Sequence, residues 1–175
     1  MEDYLSQIIE GLKYALPAAV TGFATYLFLK RFFVHEEKKQ ILLAKKDLKQ
    51  YSLPLRLQAY ERLAILLERI SPARLVNNVL PNSTDKKEYM LQLVYQIESE
   101  FEHNLSQQIY VSNKCWEIIT TSKNATIFFI RNIAEDEALK NANDLQQTIL
   151  SKTIENGAPT DVALEFIRNE VSEIL

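Results

Sequence analysis

An all-α fold is what this sequence predicts: one N-terminal transmembrane helix that continues into a stalk, then a cytoplasmic bundle of about five helices. Three observations predict it. Glycine and proline are scarce, at 3 and 5 of 175 residues, while Leu, Ile, Glu, Lys, Gln and Ala, which lose little freedom in a helix, fill long stretches. Apolar residues return every three or four positions, and no alternating run of strand length competes. Finally, an uncharged apolar run, "YALPAAVTGFATYLFL" at 14–29, leads directly into a basic cluster.

That run fixes the organisation of the N-terminal third. Sixteen uncharged residues rise about 24 Å as a helix, short of the roughly 30 Å of bilayer hydrocarbon. Lys13 at one end and Lys30 and Arg31 at the other have apolar stems that let their charges reach the headgroups, and Phe32, Phe33 and Val34 prolong the apolar face. A core helix keeps a polar stripe, yet the only polar breaks here are Thr21, Thr25 and two tyrosine hydroxyls. A cleaved export signal begins basic, whereas residues 1–13 carry a net charge of −2. The preferred reading is a span over 14–34 behind a short external tail, 1–13. Its alternative is a soluble helical adaptor with this helix buried.

Charge sets the orientation. Residues 30–50 carry +4 and residues 51–175 carry −5, so the basic excess adjoins the apolar run. Lysines and arginines next to a span stay on the cytoplasmic side, which places the N-terminus outside and the remainder inside. In a bacterial host this is a single-pass inner-membrane protein. Residues 35–50 contain no glycine or proline and extend the helix as a basic juxtamembrane segment. Lys30, Arg31, Lys38, Lys39, Lys45, Lys46 and Lys49 are the candidates for contact with anionic lipid heads, each contributing on the order of 1 kcal/mol. The plainer reading is a solvated stalk whose lysines only fix topology.

Residues 51–175 read as a helical domain. Pro54 suits the first turn of a helix with Leu57, Tyr60, Leu63, Leu67 and Ile70 on one stripe. Ser71-Pro72 begins a short helix through Val79. From about Asp85, Met90, Leu93, Val94, Ile97, Phe101 and Leu105 mark the next stripe, and Ser112 caps another helix with Trp116, Ile119, Ile127, Ile130 and Ile133 inward. A further helix is expected over Asp136–Asn156, stopped at Gly157, and a last one from Pro159 or Thr160 carrying Val162, Leu164, Phe166, Ile167 and Val171.

The stretches "LPLRLQAYERLAILLERISP", "EFEHNLSQQIYVSNKCWEIITTSKNATI" and "ALEFIRNEVSEIL" resemble an uncharacterised family of small single-span proteins from Bacteroidetes-type bacteria. The resemblance covers most of the chain. It implies an N-terminal anchor and a helical body, and it brings no active-site residues.

Chemistry is sparse. One cysteine, Cys115, excludes an intrachain disulfide and any cysteine-based cluster, and lacks the glycine-rich elbow of a nucleophile. Glu100 and His103 form half of a Glu-x-x-His pair, without the second pair that a di-iron bundle needs. Glycines 11, 22 and 157 cannot build a phosphate loop. A net charge of −3 gives no basis for a nucleic-acid partner. No catalytic residue, metal ligand or cofactor is therefore expected. The polar segment with His103, Asn104, Gln107, Gln108 and Tyr110 is either a protein-contact surface or a hydrogen-bonded helix junction. The expected function is a non-enzymatic, membrane-anchored interaction or scaffold subunit whose partners are membrane lipids at 14–34 and another protein or a second copy. A membrane-tethered enzyme or metal-binding protein using Glu100, Glu102 and His103 is the alternative.

Overall fold

The computed structural model describes the backbone from Glu2 to Leu175, and side chains for Val20–Phe33, Glu36, Lys39, Gln40 and residues 51–175. All of the described secondary structure is helical: α1 (Glu2–Ile70), α2 (Pro72–Asn78), α3 (Lys86–His103), a short 3₁₀ turn (Leu105–Ile109), α4 (Asn113–Ala134), α5 (Ala142–Asn156) and α6 (Asp161–Ile174). The chain divides into two units, Met1–Ser52 and Leu53–Leu175. The first consists of α1 alone.

In the first unit every described residue from Val20 to Phe33 is exposed, including Phe23 at 65% and Phe28 at 69%. The burial that the alternative reading supposes is not seen over these residues. Nor is the spanning segment met as stated, because no helix is long and apolar enough, among the described residues, to cross a membrane. Of the expected span, the side chains of 14–19 and 34 lie outside the described residues. The fourteen residues inside them rise about 21 Å, which is less than a hydrocarbon core.

The second unit is built on the last turns of α1. Ala59, Tyr60, Leu63, Leu66, Leu67 and Ile70 are buried and join one core with Leu75, Val76, Tyr89, Leu93, Ile97, Cys115, Ile119, Ile130, Leu145, Ile149 and Ile167. Pro54 was expected to open a helix, yet α1 runs through it. Proline removes one backbone hydrogen bond, at a cost of about 3 kcal/mol in a helix interior, and the stripe that follows at once anchors the chain in the core. Pro72 does end α1: its ring disfavours a helical conformation at the preceding residue, and Ser71 adopts ψ 129°.

Caps mark most of the other boundaries. Asp85 accepts from the Lys87 amide at 2.8 Å, Ser112 from Cys115 at 3.1 Å and Asn141 from Asp144 at 2.9 Å. The helix expected from Asp136 begins later, at Ala142, because the Asp136 carboxylate accepts from the Ala138 amide at 2.9 Å and holds a turn. Gly157 ends α5 with φ 79°, a conformation that a side chain resists. In α6 the buried residues are Ala163 and Ile167, while Val162, expected inward, is exposed. Leu105 is likewise exposed, and Tyr89, absent from the expected stripe, is buried, with its hydroxyl donating to the Val79 carbonyl at 2.8 Å.

Leu63→Ala is expected to cost about 2–5 kcal/mol, as a core cavity does. Gly157→Ala is expected to cost less, about 1–3 kcal/mol, through strain in a backbone region that only glycine adopts readily. Urea unfolding followed by far-UV circular dichroism checks both values and their order.

Candidate functional site

The richest polar chemistry gathers where the end of α3 and the 3₁₀ turn meet the start of α4. Glu98 and Lys123 sit on facing turns of α3 and α4, and Lys123 Nζ lies 2.7 Å from Glu98 Oε2 and 4.8 Å from the centre of the Phe101 ring. Phe101 stacks on Trp116 at 5.2 Å. The Lys123 side chain is only 11% exposed, so its charge is satisfied by a carboxylate and an aromatic face instead of water. Trp116, expected to face inward, is half-buried and packs against the core.

Glu100 turns the other way. Its carboxylate lies 3.3 Å from Arg69 Nη1 and takes a long contact from Gln96 Nε2 at 3.5 Å. These residues, with Leu75, Asn78 and Val79, line a cleft of about 270 Å³. His103 Nδ1 is 2.7 Å from the Ser99 carbonyl, which can only accept, so Nδ1 donates to it. The Glu-x-x-His pair is therefore divided between an arginine and a backbone carbonyl, and Glu102 is exposed. Among the described residues no three His, Cys, Asp or Glu side chains converge as metal ligands.

The amides of the polar segment serve the junction. Asn104 Nδ2 donates to the Glu100 carbonyl at 2.9 Å, Gln107 is buried with Nε2 3.2 Å from Ser106 Oγ, and the Tyr110 carbonyl accepts from Arg56 Nε at 3.2 Å. His103, Gln108 and Tyr110 leave side-chain surface exposed. Of the basic residues proposed for lipid contact, Lys30, Arg31 and Lys39 are exposed, and the side chains of Lys38, Lys45, Lys46 and Lys49 lie outside the described residues.

A second polar group went unseen in the sequence because its members are distant in the chain. Arg56 Nη2 lies 3.4 Å from the Tyr60 hydroxyl, and the Glu170 carboxylate of α6 acts on both Tyr60 and Cys115. Glu170 Oε2 is buried and makes no hydrogen bond. Burial, with Glu170 adding to it, pushes the Cys115 thiol up to about 12. Burial also raises Tyr60, an effect that the Arg56 hydrogen bond opposes. A thiol so placed is a packed core atom and a poor nucleophile.

The pattern of the whole chain decides the family. Residues 6–174 match the Family of unknown function (DUF7935). The chain belongs to the DUF7935 family. No curated protein and no solved structure matches this DUF7935 chain. Membership therefore brings no reaction and no ligand, and the geometry has to carry any functional reading.

Two outcomes follow for this DUF7935 member. Cys115 holds its proton in the fold but loses it near its ordinary value of 9 when unfolded, so its contribution is complete below pH 9 and is lost as pH rises toward 12. Thermal melts are expected to fall over that window, less steeply in Cys115→Ala, and native protein at pH 8 is expected to resist iodoacetamide until denatured. Separately, Glu98→Ala leaves a mostly buried ammonium unpaired and is expected to cost about 1–3 kcal/mol, more than Lys123→Met, in denaturant unfolding.

Proposed function

We propose that this chain is a membrane-anchored, non-enzymatic interaction or scaffold subunit, held by residues 14–34 and presenting its helical domain to a protein partner. The observation that carries the reading is the exposed apolar surface of α1 from Val20 to Phe33. Phe23, Tyr26, Phe28, Phe32 and Phe33 cover several sides of the helix, and Thr25 Oγ1 donates to the Thr21 carbonyl at 2.7 Å, which satisfies its donor proton within the helix. A patch of this size in water is an aggregation hazard, and lipid removes it. Tyr14 to Val34 provides the length, with Lys13, Lys30 and Arg31 at its ends. The basic excess of 30–50 supports an orientation with the N-terminus outside and the domain in the cytoplasm, in a bacterial inner membrane.

The domain supports the scaffold half of the reading. Glu100, Glu68 and Glu98 pair with Arg69, Arg74 and Lys123, the cysteine is buried, and the charged groups lining the cleft, Arg69 and Glu100, are bonded to each other. The enzyme alternative built on Glu100, Glu102 and His103 finds no support in how these side chains diverge.

Extraction of membranes with alkaline carbonate tests the anchor. The chain is expected in the pellet, and a reporter fused after Leu175 is expected to signal cytoplasm. Release into the supernatant, or an external signal, contradicts the reading.

A further inference from the structure

The helical unit 1–52 raises a physical question that lipid answers only in part. Isolated helices owe most of their stability to packing an amphipathic face, and residues 35–52 follow the proposed anchor with α1 as the only element of their unit. The sequence of this stretch repeats in sevens. Taking Ile41 as position a, the a and d positions between 35 and 55 are Glu37, Ile41, Ala44, Leu48, Tyr51 and Leu55, of which five are apolar. Of the other fifteen residues only Leu42, Leu43 and Leu53 are. Such a seam is the signature of helices that pair along their length. Lys39 and Lys46 hold f positions and Lys49 a b position, away from the seam, and the flanking register sets Gln40 opposite Lys45 of a second copy, so pairing brings no lysines face to face.

Within the second unit the apolar seam ends at Leu55, which is 52% exposed, and polar side chains take most of the positions beyond it. Continuing the register gives Leu55, Gln58, Arg62, Ile65 and Arg69, all exposed, with Tyr51 just before them 79% exposed. The buried residues of α1, Ala59, Tyr60, Leu63, Leu66, Leu67 and Ile70, hold positions b, e and f, on the opposite side. The core therefore leaves the seam open.

We propose that α1 is a self-association helix: a second copy of this chain covers the seam from Ile41 to Leu55 as a parallel, in-register coiled coil. The parallel sense rests on the anchor reading, because two chains held in one membrane have their N-termini on the same side. Pairing itself rests on the seam alone.

Single cysteines introduced into the full-length chain, in membranes treated with a mild oxidant, test the proposal. The parent chain with its buried Cys115 serves as the blank. In a parallel pair the same a position of two copies lies within disulfide reach, whereas f positions do not. Ile41→Cys and Leu55→Cys are expected to form disulfide-linked dimers at least about tenfold more than Lys39→Cys and Lys46→Cys. Co-expressed Ile41→Cys and Leu55→Cys chains are expected to give no mixed dimer, since fourteen residues separate these positions by about 21 Å. Equal linking at all four sites, or none, overturns self-association through this face. A mixed 41–55 dimer shows antiparallel pairing and overturns the parallel arrangement. Same-site links at 41 and 55 in a chain that carbonate releases would uphold the pairing while removing the anchor.

Discussion

Burial of one stripe of α1 organises the rest of the molecule. Tyr60, Leu63, Leu67 and Ile70 recur at helical spacing and are at most 2% exposed, and the core made by α2 to α6 includes them. A helix has a single circumference, so committing that stripe to the core also commits the opposite side, from Leu55 to Arg69, to face something else. Among the described residues upstream of Leu53 no side chain is buried. What holds each part of α1 is therefore the question on which the functional reading turns.

The polar chemistry of the domain follows from that packing. Arg69 leaves the buried stripe one residue before its end and meets Glu100, while Arg56 enters from the first turns to hold Tyr60 and the Tyr110 carbonyl. These contacts tie α1 to the α3–α4 connection. In the same region Glu98 holds Lys123 over the ring of Phe101, which stacks on Trp116. Arg56, Arg69 and Lys123 are each spent on fixing how helices meet.

Much of the fold was legible because its signals are local. Ser112 and Asp85 cap their helices, Gly157 stops α5, and the three-four spacing of Leu93, Ile97 and Phe101 marks the inner side of α3. Where local signals competed, the reading slipped. Pro54 reads as a helix start, yet tertiary burial immediately beyond it outweighs one lost hydrogen bond. Asp136 reads as a helix start but bonds within its own turn, leaving the cap to Asn141. The polar junction was visible as a composition between Phe101 and Trp116. The cluster of Arg56, Tyr60, Cys115 and Glu170 was not, since it joins residues more than one hundred positions apart and no spacing rule encodes such a meeting.

The central claim is that lipid and a second copy cover the part of α1 that the domain leaves bare. Amide hydrogen exchange of the full chain in lipid vesicles, read by mass spectrometry, tests it most directly. The account predicts that segments within 20–33 and 41–55 are protected to the same order as the core segment 59–70. Exchange across 20–55 as fast as in a solvent-exposed helix, with 59–70 still protected, would contradict it.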